Sequence, residues 1–315
     1  MSSVHRQLRL LLPLLFLAAC RAQPPVALTS ITDLNQASPP PGEPLQVVVT
    51  TSILADIVGQ VGGDNILLTT LVPAGLDPHS FEPTPQDRRA LDRAHLILIN
   101  GLGLEPFVDS GSLLAEVQAP VASLSEGITP IFRDDDRAQS PDPHIWMDPA
   151  NVRRWVENAA RALAALDPAK AEAYRSRAAG YLAEVNSLEG RLQEQVDRVP
   201  QERRRLVTDH ESLGYFAARY GFTVIGTVIP APSSSAEASA RDLAELEEAI
   251  QREGVRAVFV SSSASPDVAR RVAEDTGARL VPLYLESLTG PDGPAPTYLA
   301  LMEYNVVAIV EALLG

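Results

Sequence analysis

The stretch that most restricts the fold is residues 168–199. It is an unbroken helical pattern with apolar residues at Tyr174, Ala178, Tyr181, Leu182, Val185, Leu188, Leu192 and Val196. Asp167-Pro168 opens it, and Pro200 closes it. Such a helix would run about 48 Å at 1.5 Å per residue, the span of a whole two-lobed protein of this size. Gly180 and Gly190 each cost it about 1 kcal/mol relative to alanine, so packing must hold it straight. On both sides, short β-branched runs alternate with helical patterns. Strands are expected at 45–50, 65–72, 95–100 and 119–124, with helices at 53–61, 84–94, 105–117 and 149–166. Beyond the long helix, strands at 206–208, 222–228, 256–261 and 279–284 alternate with helices at 213–220, 236–252, 266–276 and 298–314. The pattern predicts an α/β protein of two lobes, each a parallel-type sheet flanked by helices, bridged by one long rigid helix. No residue-level repeat relates the halves.

The amino terminus is set apart. Arg6 and Arg9 precede a short apolar run at 10–17, too short to span a bilayer permanently, so 1–19 reads as a signal peptide. Leu17-Ala18-Ala19-Cys20 is similar to a lipobox, in which Cys20 becomes the lipidated first residue of the mature chain; the alternative is an ordinary signal with a chance cysteine. Cys20 is the single cysteine, which excludes an intrachain disulfide. Residues 20–44 hold many prolines and no apolar periodicity, as expected of a lipidated cysteine followed by a flexible linker. The expected division is thus an N-terminal lobe at 45–166, a linking helix at 167–200 and a C-terminal lobe at 201–315. The net charge of −14, deepened by two when Arg6 and Arg9 leave, argues against nucleic acid and against electrostatic adhesion to anionic lipid. A cationic ligand suits it better.

Of five histidines, two occupy matching contexts, Asp77-Pro78-His79 and Asp142-Pro143-His144, where proline fixes the local backbone. His210 follows the strand at 206–208 in Thr208-Asp209-His210-Glu211, and Glu286 follows the strand at 279–284. Loops at the carboxyl ends of strands in such sheets are where ligands bind. Three imidazoles and a carboxylate suit a borderline divalent cation, zinc most naturally. Spacing alone leaves the cluster balanced against four solvated or capping side chains. His95 reads as structural, His5 leaves with the signal, Asp134–Asp136 reads as a solvated loop, and Trp146 and Tyr215 read as packing.

Residues 75–83 (GLDPHSFEP), 143–149 (PHIWMDP), 208–216 (TDHESLGYF) and 284–288 (YLESL) with 298–305 (YLALMEYN) resemble four signature segments of one family. That family is the zinc/manganese solute-binding proteins of bacterial ABC importers. The resemblance spans about 45–315, and four segments in order are far more specific than any one. It implies two lobes bridged by a long helix, metal held between them by His79, His144, His210 and Glu286, and delivery to an ABC permease subunit. Two departures stand out: Glu286 occupies a position that is commonly aspartate, and the histidine-rich loop of many zinc members is absent. Manganese-preferring members often carry glutamate where His210 stands, so Zn2+ is expected, with Mn2+ as the alternative.

The expected function is therefore extracytoplasmic capture of a divalent transition metal by a monomer tethered through Cys20, without enzymatic activity. Phosphate-loop sequences are absent, so ATP hydrolysis would belong to another subunit. The rival is a secreted zinc-dependent hydrolase, with three histidines and an open position for water. No His-Glu-x-x-His helix supports it. Cell adhesion is compatible with metal capture and leaves no mark in the sequence.

Overall fold

The computed structural model describes residues 27–34, 43–109, 113–114, 117–132, 140–231 and 233–315. The signal segment, Cys20 and Asp134–Asp136 lie outside the described residues. Four strands, β1 (Leu45–Val49), β2 (Ile66–Thr70), β3 (Leu96–Ile99) and β4 (Val121–Ser123), form an all-parallel sheet in the order β2-β1-β3-β4. Strands β5 (Arg205–Thr208), β6 (Thr223–Thr227), β7 (Ala257–Ser261) and β8 (Arg279–Leu283) form a second in the order β6-β5-β7-β8. The two orders are equivalent, so the halves share a topology that their residues do not advertise. In each, the chain reverses its direction of travel between the two central strands, and that reversal opens a crevice at their carboxyl ends.

The helices are α1 (Ser52–Gly62), α2 (Pro85–Arg93), α3 (Pro106–Asp109), α4 (Pro149–Leu166), α5 (Ala171–Val196), α6 (Gly214–Tyr220), α7 (Ala240–Glu253), α8 (Asp267–Thr276) and α9 (Tyr298–Leu314). The two-residue period of the strands decides which core each side chain joins. Val47, Val49, Leu96 and Leu98 enter a central cluster, whereas Val48, Ile97 and Ile99 enter an outer one with Leu91 of α2 and Val108 of α3. In the second sheet, Leu206, Ala257 and Phe259 face the central cluster, and Val207, Val258 and Val260 face an outer one beneath α7 and α8. Ile57 of α1, Trp155 of α4, Leu188 of α5 and Val306 of α9 all belong to the central cluster. One core therefore runs through both lobes.

The long helix is shorter than its pattern suggested. Its α-helical part has 26 residues, about 39 Å, because Pro168–Lys170 forms a separate 3-10 turn. Its buried face is the expected one, from Tyr174 to Val196, except that Leu182 is only partly buried. Gly180 and Gly190 lie on the exposed face, where an added Cβ would meet nothing within 4 Å. The helix expected at 236–252 starts at Ala240, since Ser239 and Asp242 form a reciprocal capping box there. Thr84 and Asp87 do the same at the start of α2. The helix expected across 105–117 is described only as Pro106–Asp109.

The linker expectation needs correction over 27–34. Ile31–Asp33 forms a 3-10 turn, and Ile31 and Leu34 are buried in the central cluster. Thr29 N–H donates to the Val121 carbonyl at 2.7 Å and Ile31 N–H to Glu126 at 2.9 Å. Two apolar residues three apart are enough to dock this piece of a proline-rich segment. Among the described residues, no helix is long and apolar enough to cross a membrane.

Candidate metal centre

His79 stands in the loop after β2, His144 in the loop between β4 and α4, His210 directly after β5, and Glu286 in the loop after β8. Aspartates shape these loops. Asp77 Oδ1 accepts the His79 backbone N–H at 2.9 Å, and Asp142 Oδ1 accepts that of His144 at 2.9 Å. Each Asp-Pro-His is thus a side-chain turn, closed by the acid and stiffened by the proline. Asp142 Oδ1 also accepts from His144 Nδ1 at 2.7 Å, and Asp209 Oδ1 from His210 Nδ1 at 2.9 Å. A carboxylate can only accept, so Nδ1 carries a proton in both rings, and Nε2 is the atom turned away from the acid. Asp209 is itself fixed through Oδ2, which accepts Ser261 N–H at 2.6 Å.

The four side chains converge. His144 Nε2 lies 3.1 Å from His79 Nε2 and 3.3 Å from His210 Nε2. Glu286 Oε2 lies 3.6 Å from His79 Nε2 and 3.4 Å from His144 Nε2, and Oε1 lies 3.1 Å from His210 Nε2. One ligand atom from each residue falls within 4.8 Å of all the others, the one such cluster among the described residues. His144 and His210 are fully buried and Glu286 is 1% exposed. A tetrahedral ion with bonds of about 2.0–2.1 Å has edges of about 3.3–3.4 Å, and the separations straddle that value.

Both Glu286 oxygens are buried without a hydrogen-bond partner. Burial works against its charge, yet the facing His144 charge and the surrounding imidazoles hold it well below the usual carboxylate range. For His144, burial likewise opposes protonation, but the Glu286 charge and Asp142 push it up to about 9. His210 is raised well above the ordinary imidazole value: burial opposes this, and the bond to Asp209 with the facing Glu286 charge outweighs it. Imidazole lone pairs aimed at one another and at a carboxylate need a positive charge between them. Without an ion, protons supply it.

Trp146 and Tyr215, expected only to pack, also tie the loops together. Trp146 Nε1 donates to the Leu285 carbonyl at 2.9 Å, bringing the Glu286 loop onto that of His144. Tyr215 O–H donates to the Asp142 carbonyl at 2.9 Å. Ser52 Oγ accepts Leu288 N–H at 3.1 Å and lies 3.0 Å from Ser287 Oγ. His95 is structural: its Nδ1 accepts Gln46 N–H at 3.0 Å, joining β1 to the start of β3. The sequence reading missed Asp77, Asp142 and Asp209 as supports of the histidines. An acid one or two positions before each was the available signal.

The profile of a family described as zinc-uptake complex component A, periplasmic, matches residues 47–312. The iron-binding protein YfeA of Yersinia pestis is 33% identical over 84% of this chain and 85% of its own length. The manganese-binding lipoprotein MntA of Halalkalibacterium halodurans is 30% identical over 86% of this chain and 89% of its own. Among solved structures, the manganese-bound periplasmic metal binding protein of Candidatus Liberibacter asiaticus superposes with a TM-score of 0.78 at 32% identity, covering 85% of this chain and 99% of that one. The lobed fold, the converging cluster and these matches agree. The chain belongs to the zinc-uptake complex component A family of periplasmic proteins.

Proposed function

We propose that His79, His144, His210 and Glu286 together capture one divalent transition metal ion, which the protein hands to an ABC permease. The observation that carries this is Glu286: a fully buried carboxylate with no hydrogen-bond partner, faced by three Nε2 atoms at 3.1–3.6 Å. Zinc is the first choice, because three imidazoles and one carboxylate form a nitrogen-rich set. Manganese is the second, supported by relatives named for it. The proposal includes two lobes at 45–166 and 201–315 about the connecting helix at 167–200, and a lipid on Cys20.

The family is one of transporter substrate-binding proteins and not of enzymes. The hydrolase reading needs a position open to water; in the proposed centre Glu286 takes that position. The deciding experiment is metal analysis of protein purified without chelators, followed by zinc–manganese competition. Stoichiometric metal, with zinc displacing manganese, is expected; protein that binds neither ion would sink the proposal.

A further inference from the structure

Behind the His144 loop lies a buried polar chain of residues other than the four proposed ligands. Glu105, 1% exposed, accepts through Oε1 from Thr50 Oγ1 at 2.6 Å and from Asn100 N–H at 2.7 Å, and through Oε2 from Gly101 N–H at 3.0 Å. Thr50 follows β1 and Asn100 follows β3, so one carboxylate fastens the two central strands where the first sheet opens its crevice. The Asn100 carbonyl accepts from Ser123 Oγ and Ser125 Oγ, each at 2.6 Å, which adds the end of β4 to the knot.

The backbone here is forced. Gly101, Leu102 and Gly103 have φ of 80°, 58° and 82°, and Leu102 is the single non-glycine residue with positive φ among the described residues. Such a conformation costs a leucine about 1 kcal/mol or more and persists where surrounding bonds over-determine it. Leu102 packs against the central cluster, and Gly101 has no room for a Cβ, which would lie 2.5 Å from Ser123 Oγ.

The knot reaches the metal centre through one group. Asn100, fully buried, donates from Nδ2 to the Gly101 carbonyl at 2.6 Å and to the Pro143 carbonyl at 3.2 Å. Pro143 immediately precedes His144. We infer that Asn100, held in place by Glu105, is a positioning residue for His144: its amide clamps the Pro143 carbonyl to the carboxyl edge of the first sheet and so fixes where the imidazole meets the ion. Asp142 holds the His144 ring through Nδ1 and the N–H of the Pro143–His144 peptide, and Asn100 holds the carbonyl of that same peptide. The remaining acceptor, Asn100 Oδ1, is buried without a partner. The amide is thus kept for its donors.

This inference rests on the proposed metal role of His144, and a double-mutant cycle separates the two. Zinc affinity of the full chain is measured by chelator competition for wild type, Asn100→Ala, His144→Ala and the double variant. Asn100→Ala is expected to weaken zinc by about tenfold or more, the loss typical of groups supporting a metal ligand, and to add little once His144 is gone. Asn100→Ser, which keeps a short donor, should recover part of the affinity and substitutes for the alanine variant if that one does not fold. Equal losses in the presence and absence of His144, or no loss in a folded variant at position 100, would overturn the positioning role. If His144→Ala itself binds zinc like wild type, the ligand assignment fails instead.

Discussion

At the scale of single residues, the proposed centre predicts graded effects. His79→Ala and His210→Ala should each weaken metal binding strongly in calorimetric competition. Glu286→Ala should impair binding and Glu286→Asp should retain it, because the shortened carboxylate keeps its charge. Asp209→Asn should cost about 10–100-fold, since it loosens the Nδ1 proton of His210 without touching the ion. Wild-type affinity in His210→Ala would remove the second lobe from the site. The sign of the pH dependence follows from the raised imidazoles. His144 keeps its proton up to about pH 9 in the ion-free site, so a metal must displace it. Apparent affinity should therefore climb as pH rises towards 9, with protons released on binding. Glu286, held low, stays ionised throughout and adds nothing to the slope. Calorimetry in two buffers of different ionisation enthalpy reads the release directly; no buffer dependence at neutral pH would contradict it.

At the scale of elements, α5 carries a sharp prediction. Gly180 and Gly190 sit on its exposed face with open space around them, so each replacement by alanine should stabilise by about 1 kcal/mol and raise the melting temperature without altering metal affinity. Thr84→Ala should cost about 1 kcal/mol by opening the capping box of α2. The elements were legible because their signals are local. Tyr174 to Val196 keep one period, Asp148-Pro149 begins α4 where a cap and a first-position proline belong, and Leu96–Ile99 is bounded by Asn100-Gly101. The candidate ligands were legible because each follows a strand or repeats Asp-Pro-His. What stayed hidden was non-local. The docking of Ile31 and Leu34 needs the far side of α4, the shared strand order needs both sheets assembled, and the knot at Asn100 joins residues from three strand ends.

At the scale of the whole molecule, one central core serves both lobes. Swinging them apart would open that shared core, in which side chains such as Ile57, Leu188 and Val306 are each worth about 1.5–3 kcal/mol when buried. Asp56 of α1 adds a link, accepting the first N–H of α9 at 2.7 Å. Loading with metal should accordingly leave the radius of gyration unchanged in solution scattering, while zinc at about a thousand times its dissociation constant should add roughly 4 kcal/mol to stability. A large contraction on loading would show that the core parts. The docked piece at 27–34 bears on a different matter, the reach of the anchor. Were the chain free up to β1, a lipid on Cys20 would hold it by 25 peptide units, roughly 85 Å fully extended. The bond from Thr29 to Val121 shortens that leash to nine units, roughly 30 Å. A body that a lipid on Cys20 held by so short a leash would stay beside the bilayer with the β4 side of its first lobe turned to it.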